Sequence, residues 1–103
     1  MPPFAALAEP TRQRIIEMLA VRERSAGEIA KACKASPPAI SQHLKVLREA
    51  NLVRVRAEAQ RRIYELDPAG VKEIADWANR IRAFWSPRLD ALEAALKKED
   101  RDA

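Results

Sequence analysis

Residues that carry catalysis are scarce in this sequence. Its 103 residues include one cysteine, one histidine and two glycines. The chain therefore has no glycine loop that cradles phosphate, no cysteine pair for zinc and no metalloprotease pattern HExxH. We expect a protein that is not an enzyme and that uses no cofactor and no metal.

Long apolar runs are absent too. The longest one is far shorter than the ~20 residues that span a bilayer. The first residues, MPPFAALAEPTR, lack the basic start and long apolar core of a secretion signal. A single cysteine excludes a disulfide within the chain and suits a reducing compartment. We therefore expect a cytoplasmic protein that does not bind membranes.

The segment SPPAISQHLKVLREANLV, which begins at Ser36, is the most informative part of the chain. Ser36 is a suitable N-cap, and Pro37 suits the first helical position, where its missing N–H costs nothing. Helical spacing places Ile40, Leu44 and Leu47 in one apolar stripe. The segment therefore predicts an amphipathic helix with a well-marked start.

The other face of this helix is polar, uncrowded and short of acids. Serine and glutamine can hydrogen-bond base edges in the major groove, and lysine and arginine can reach phosphates. An ordinary surface helix would show the same chemistry, so the face alone leaves both interpretations open. The residues of this face that suit DNA are Pro38, Ser41, Gln42, Lys45 and Arg48.

A second short helix is predicted immediately upstream. Ser25 and Glu28 have the spacing of a capping box, and the apolar pattern that follows ends near Cys33. Only Lys34 and Ala35 separate this helix from Ser36. Two short helices joined by so tight a turn predict a helix-turn-helix.

A basic β-hairpin is predicted downstream. Val53 and Val55 alternate with arginines, and the run RRIYEL places Tyr64 and Leu66 on one face. The tip would hold residues 57–60. A hairpin directly after a recognition helix is a wing, and its flanks carry Arg54, Arg56, Arg61 and Arg62.

The positive charge is concentrated in these elements. From Lys31 to Arg62 there are eight Lys or Arg residues and two Glu residues, a net charge of +6, whereas 67–103 carry a net charge of −1. A local cationic cluster attracts the phosphate backbone and produces salt-dependent affinity. Duplex DNA is therefore the expected partner, although a charge run can also be a solvated face.

The two ends of the chain predict further helices. Pro10 suits the start of a helix that buries Ile15, Ile16 and Leu19. Asp67 and Pro68 suit the start of a terminal helix. This terminal helix is predicted to break and restart at Ser86 and Pro87.

A small domain buries only about two-thirds of the surface of its unfolded chain. The terminal apolar face is wider than such a core covers, so we expect it to pack against a second copy. Folding back on its own domain is the alternative. The predicted dimer interface comprises Phe4, Leu7, Trp77, Ile81, Phe84, Trp85, Leu89, Leu92 and Leu96.

The order of elements and the residues themselves resemble a known family. The strings FAALAEPTRQRIIEMLA, ERSAGEIAKAC and SPPAISQHLKVLREANLVRVRAEAQRRIYEL resemble the arsenical-resistance-repressor (ArsR) family of bacterial winged helix-turn-helix regulators. The continuation DPAGVKEIADWANRIRAFWSPRLDALEAAL resembles the subgroup with a tryptophan-rich C-terminal helix. The resemblance covers nearly the whole chain.

This resemblance implies a single domain, mainly α-helical with a small β-hairpin, that dimerises through its N- and C-terminal helices. The DNA-binding core would span 9–66, the dimerisation helices 1–8 and 67–98, and a disordered tail 99–103. Most members are repressors that bind an imperfect inverted repeat and are released by a signal. The DNA-reading positions implied are Ser36, Ser41, Gln42, His43 and Lys45, with the four wing arginines as further contacts.

Three departures from the family pattern matter. Pro37 stands where relatives often have glutamine, and the wing tip AEAQ lacks the usual glycine. Metal-sensing members carry paired cysteines or a His and carboxylate cluster, whereas Cys33 is alone and the terminal helix has no histidine. Because thiolate and imidazole sites need three or four ligands, we expect a member without a metal site.

Several single residues keep two interpretations. Cys33 is either a small buried residue or the source of an intersubunit disulfide. His43 either packs against the scaffold or hydrogen-bonds DNA. Trp77 and Trp85 lie either in a core or dimer interface or around a small-molecule pocket at that interface.

Two functions follow from these observations. The first is a homodimeric, sequence-specific transcriptional repressor that binds an inverted repeat. The alternative is a winged-helix module for protein assembly, with the basic surface facing an acidic protein. The groove-facing serine, glutamine and lysine beside a basic hairpin favour DNA. No motif identifies the operator, the regulated genes or an inducer.

Overall fold

The computed structural model describes residues 3–102. The chain begins with two helices, α1 (Pro3–Ala6) and α2 (Pro10–Val21), followed by a short strand, β1 (Arg24–Ser25). The helix pair α3 (Ala26–Cys33) and α4 (Pro37–Glu49) comes next. A hairpin of β2 (Val53–Glu58) and β3 (Arg61–Leu66) leads into the long helix α5 (Pro68–Asp102). The predicted mainly helical fold with a small antiparallel hairpin is confirmed.

The predicted helix starts are confirmed by their hydrogen bonds. Ser25 accepts from the backbone N–H of Glu28 and the Glu28 carboxylate accepts from that of Ser25, both at 3.2 Å, which is a complete capping box. Ser36 Oγ accepts from the N–H of Ala39 at 3.3 Å. Asp67 Oδ1 accepts from the N–H of Ala69 at 3.0 Å. These bonds satisfy donors that a helix leaves unpaired at its first turn.

The strands form one antiparallel sheet in the order β1-β3-β2. Val53 pairs with Leu66 and Val55 with Tyr64, as the alternation predicts. The hairpin tip is shorter than the predicted range 57–60, because residues 57 and 58 pair with Arg62 and Arg61 in the ladder. The turn therefore consists of Ala59 and Gln60, and Ala59 has a φ of 55°. Strand β1 was not predicted, since two residues are too short to show a pattern.

The core lies between the helices and the inner face of the hairpin. Its largest fully buried side chains are Ile15, Ile29, Ile40, Leu44, Leu47 and Leu52. The predicted stripe of α4 is thus wholly buried, and that burial fixes which side of α4 faces outward.

Helix α5 differs from the prediction of a break at Ser86 and Pro87. It runs without interruption from Pro68 to Asp102, with Pro87 inside it. Proline removes one backbone hydrogen bond, here to the carbonyl of Ala83. Both residues lie on an exposed side of the helix, where water can solvate that carbonyl. The helix also includes residues 99–102, for which the sequence predicts a disordered tail, while Ala103 lies outside the described residues.

The base of α5 is anchored by a close backbone approach. Gly70 donates its N–H to the carbonyl of Asn51 at 3.0 Å, and a Cβ at Gly70 would lie 2.3 Å from that oxygen. Only glycine fits there without a shift of the backbone. Beyond this anchor, α5 extends from the domain, so that the molecule measures 64 × 27 × 21 Å. Across the described range, no helix has the length and apolar character needed to cross a membrane.

Candidate DNA-binding surface

The helix pair α3 and α4 has the tight turn of a helix-turn-helix. Lys34 adopts the left-handed conformation, with a φ of 51°, and donates its N–H to the carbonyls of Ala30 and Lys31. The N–H of Ala35 also bonds to the carbonyl of Ala30, at 3.1 Å. Ser36 then opens α4. The carbonyls that end α3 are therefore satisfied within the turn itself.

The outward side of α4 carries the polar residues that the sequence singles out. They share exposure to solvent on the side of α4 opposite its buried stripe, which leaves their hydrogen-bonding groups available to a ligand. The predicted DNA contacts that are exposed on α4 and its cap are Ser36, Pro38, Ser41, Gln42, Lys45 and Arg48.

His43 lies on the scaffold side of α4. Its Nδ1 is 3.4 Å from a guanidinium nitrogen of Arg12 and 3.7 Å from the Glu9 carboxylate. Glu9 also accepts from the backbone N–H of Arg12 at 3.0 Å, as the N-cap of α2. His43 therefore contacts the N-terminal end of α2, which agrees with its interpretation as a scaffold residue.

The wing arginines differ in their surroundings. Arg54 pairs with Glu65 at 2.8 Å, and Arg61 pairs with Glu28 at 3.0 Å. Arg56 is bidentate to Glu23, with its two terminal nitrogens donating at 2.7 and 2.6 Å. Across residues 3–101, Arg62 has no carboxylate within 4.0 Å. Three of the four predicted DNA contacts thus already have a partner in the protein.

These ion pairs shift the pKa of the carboxylates. The hydrogen bonds from the Arg56 guanidinium lower the pKa of Glu23 below its ordinary value of 4.5. The pKa of Glu28 is lowered first by the hydrogen bond from the Ser25 N–H, then by the Ser25 side chain and by the guanidinium of Arg22. Glu23 raises the pKa of Arg56 in turn. All three groups are therefore held in their charged forms.

The sequence gives no local signal for Glu23 as a partner of the wing, because it lies 33 residues before Arg56. Glu65 is different, since the hairpin register places it directly opposite Arg54. A correct alignment of the two strands would have predicted that pair.

An open groove of about 530 Å³ separates α4 from β2. Lys45, Arg48 and Glu49 line its helix side, Val53, Arg54 and Val55 line its strand side, and Asn51 and Asp67 complete the lining. The groove connects the exposed face of α4 to the wing. The two predicted DNA-binding elements therefore border one continuous surface.

Cys33 is half-buried, and its Sγ lies 4.0 Å from Met18 Sδ. This environment fits a small packing residue. In the part of the chain that the structure describes, no group of three His, Cys, Asp or Glu residues could hold a metal ion.

The predicted dimer residues of α5 are exposed. Trp77 contacts Phe4 of α1, with ring centroids 5.0 Å apart, and Phe84 and Trp85 form an edge contact at 5.9 Å. Leu7 instead packs partly buried against the core. The apolar side chains with 41–64% of their surface exposed are Phe4, Trp77, Ile81, Phe84, Trp85, Leu89, Leu92 and Leu96.

Known proteins share this sequence pattern. A family model described as bacterial regulatory protein, arsR family, matches residues 9–55, from the cap of α2 to the middle of β2. The chain is 40% identical to the HTH-type transcriptional regulator Rv2034 of Mycobacterium tuberculosis, over 96% of this chain and 90% of that protein. It is 31% identical to the transcriptional repressor SdpR of Bacillus subtilis, over 72% and 82%. It is 38% identical to the transcriptional activator HlyU of Vibrio cholerae, over 74% and 70%.

The fold is similar to that of solved structures. A possible transcriptional regulator for arsenical resistance superposes with a TM-score of 0.74 and 38% identity, over 91% of this chain and 95% of that one. The overall fold of this chain thus occurs in a solved structure of related sequence. This protein therefore belongs to the ArsR family of winged helix-turn-helix, DNA-binding transcriptional regulators, and it is not an enzyme.

Proposed function

We propose that this protein is a homodimeric repressor that reads an imperfect inverted repeat in duplex DNA. The observation that carries the proposal is the placement of two surfaces. The exposed polar face of α4 borders the basic wing, whereas the apolar stripe lies on α5. One surface suits DNA and the other suits a second copy of the chain.

Base reading is assigned to the outward face of α4. Ser41 and Gln42 offer hydroxyl and amide groups to base edges, with Ser36 and Pro38 at the start of the helix beside them. Lys45 and Arg48 are assigned to phosphates. His43 contacts Glu9 and Arg12, so we assign it to orienting α4 on the scaffold.

Dimerisation is assigned to α1 and α5. The stripe repeats every eleven residues, since Ile74, Trp85 and Leu96 occupy one line along the helix. Ile74 packs against its own core, while Trp85 and Leu96 are exposed. A second α5 would bury them, and two-fold symmetry would then present two α4 helices to half-sites about one helical turn apart.

Repression is the simplest outcome of such binding. A protein that occupies promoter DNA blocks access to it without any further contact. One relative is called a repressor and another an activator, so the relatives support regulation of either sign. We propose repression because it needs only the DNA face and the dimer face.

We also propose that this member does not sense metal through cysteine and histidine ligands. The chain has one of each, and Cys33 Sγ lies next to Met18 while His43 lies between Arg12 and Glu9. A thiolate and imidazole site requires three or four such ligands. Zinc, nickel or arsenite added at micromolar concentration should leave the DNA affinity unchanged, and a tenfold loss of affinity would contradict this assignment.

The function is tested by selecting DNA from the genome of the source organism. Purified protein is incubated with fragmented DNA at physiological salt, and the retained fragments are sequenced. We expect a few promoter fragments that share an inverted repeat, and a reporter driven by one of them should be less active when the protein is present.

Other results of the selection would change the conclusion. Higher reporter activity with the protein present would make it an activator. Retention of no DNA at any salt concentration would favour the protein-assembly module, with the basic surface facing an acidic protein.

A further inference from the structure

The outer face of the wing carries a cluster of five charged side chains. Arg56 lies at its centre, and three carboxylates surround its guanidinium. The Glu23 carboxylate is bidentate, Glu58 lies at 3.4 Å and Glu65 at 3.6 Å. Glu65 also binds Arg54 at 2.8 Å. We call Glu23, Arg54, Arg56, Glu58 and Glu65 the wing charge cluster; its two arginines and three glutamates give it a net charge of −1.

The geometry of the sheet explains how these residues meet. Val53 and Val55 face the core, so Arg54 and Arg56 lie on the opposite face of β2. Arg56 is opposite Ile63 on β3, and Ser25 of β1 is paired with the same Ile63. Glu23 comes just before β1 and reaches Arg56 across the sheet. The bidentate pair therefore joins the far strand of the wing to the connection between α2 and α3.

Arg62 has a different environment from Arg56. It is exposed on β3, opposite Ala57 and next to the hairpin turn. With Arg61 and Gln60 it lines a depression beside the first turn of α3. No carboxylate among residues 3–101 lies within ion-pair distance of it. Its guanidinium is thus available to a phosphate, whereas a phosphate near Arg56 would meet three carboxylates.

We propose that Arg56 is a positioning residue of the wing, held by Glu23, and that Arg62 is the wing arginine that contacts the DNA phosphate backbone. This inference rests on the proposed DNA-binding role of the wing. It divides the wing arginines by function: Arg56 holds the hairpin against the scaffold, and Arg62 supplies charge to DNA. Glu23 acts only through Arg56.

The salt dependence of binding distinguishes the two arginines. Each phosphate contact contributes about 0.9 to the slope of log affinity against log salt concentration. The probe is mixed-sequence duplex DNA, for which no operator is needed. Arg62→Gln should reduce the slope by about 0.9. The ratio of the affinity at about 50 mM salt to that at about 200 mM salt should then be about 3.5-fold smaller than for the unaltered protein. Arg56→Gln should leave the slope unchanged.

The positioning role is tested by amide hydrogen exchange of the wing. Arg56→Gln and Glu23→Gln should each speed exchange in β2 and β3 by about twofold to fivefold, the range for loss of one surface ion pair. The double variant should exchange no faster than Arg56→Gln alone, because Arg56→Gln already removes the contact with Glu23. Arg62→Gln should leave the exchange rates unchanged. Glu17→Gln removes one exposed carboxylate of α2 and controls for net charge.

Three results of these experiments would each contradict a different assignment. If Arg56→Gln lowered the salt slope as much as Arg62→Gln, and Glu23→Gln raised it, Arg56 would be a phosphate contact and the inference would be wrong. If Arg62→Gln left the slope unchanged, the assignment of Arg62 would be wrong. If the unaltered protein showed no salt-dependent binding, the proposed DNA-binding role would itself be wrong.

Discussion

Gln42 is the residue whose side chain should matter most for sequence discrimination. It is exposed on the outward face of α4, and its amide can both donate to and accept from a base edge. Such a contact distinguishes bases by about 1–3 kcal/mol, whereas a phosphate contact strengthens binding to all sequences alike.

The first prediction concerns this contact. Gln42→Ala should lower the ratio of operator affinity to mixed-sequence affinity by about tenfold, with the salt slope unchanged. Ser41→Ala should act in the same direction. Fluorescence anisotropy with a selected promoter fragment and a scrambled duplex measures both affinities. An equal loss of affinity for the two duplexes would show that Gln42 does not read bases.

The second prediction concerns the ionised glutamates of the scaffold. The pKa values of Glu23 and Glu28 are lower in the folded protein than their ordinary value of 4.5. A carboxylate with a lowered pKa stabilises the fold above its unfolded pKa, and this contribution is lost as the pH falls through the folded value. The free energy of unfolding should therefore decrease below about pH 4.5, which urea denaturation at a series of pH values would show.

Single variants identify the source of this acid sensitivity. Glu23→Gln and Glu28→Gln should each reduce the difference in stability between about pH 6 and about pH 3. Glu17, an exposed glutamate that has no ion pair within the described chain, provides the control. An acid response that is as large in both variants as in the unaltered protein would contradict the prediction.

At the scale of elements, the wing turn contains a strained residue. Ala59 has a φ of 55°, in the left-handed region that favours glycine. The left-handed conformation costs an L-residue with a Cβ about 1–2 kcal/mol of conformational free energy, and it costs glycine less. The turn is only two residues long because the ladder continues to the pair of Glu58 with Arg61. The short turn therefore imposes this conformation on Ala59.

The third prediction follows from that conformation. Ala59→Gly should stabilise the protein by about 1 kcal/mol, because the relief of strain exceeds the extra entropy of glycine in the unfolded chain. Urea denaturation measures the change. Ala57→Gly is the matched control, since Ala57 lies in the ladder of β2 and should lose stability on replacement. Destabilisation by Ala59→Gly would contradict the assigned turn geometry.

Several elements could be predicted from local sequence, and others could not. The caps at Ser25, Ser36 and Asp67 were predictable because each side chain accepts a hydrogen bond from a backbone N–H within about three residues along the chain. The break predicted at Pro87 was wrong. The rule that proline interrupts a helix does not consider whether water can solvate the carbonyl that proline leaves without a hydrogen bond. Strand β1 was missed because its two residues form a strand only through pairing with β3.

At the scale of the whole molecule, α5 extends well beyond the domain against which its base packs. It has 35 residues, and most of the side chains of its apolar stripe are exposed. Exposed apolar patches of this kind mark sites of association. The same helix places Leu92 on the stripe and Ala94 on the opposite side, about half a turn away.

The fourth prediction uses this pair of positions. Leu92→Glu should convert the protein from dimer to monomer at micromolar concentration, because a charge in an apolar interface is costly to bury. Ala94→Glu adds the same group outside the stripe and should leave the dimer intact. Analytical ultracentrifugation measures both. Dimers of unchanged affinity in Leu92→Glu would place the interface elsewhere, and a monomeric unaltered protein would reject the dimer.

The sequence by itself determined the local architecture: where the capped helices begin, which face of α4 is buried, and that the hairpin is basic. These properties depend on residues within a few positions of one another. The tertiary structure decided which charges remain available. Glu23 and Glu28 each reach a wing arginine 33 residues away, and only the folded sheet brings them together. Four arginines that look alike in the sequence therefore differ in the fold, because three of them pair with carboxylates and Arg62 has no such partner among residues 3–101.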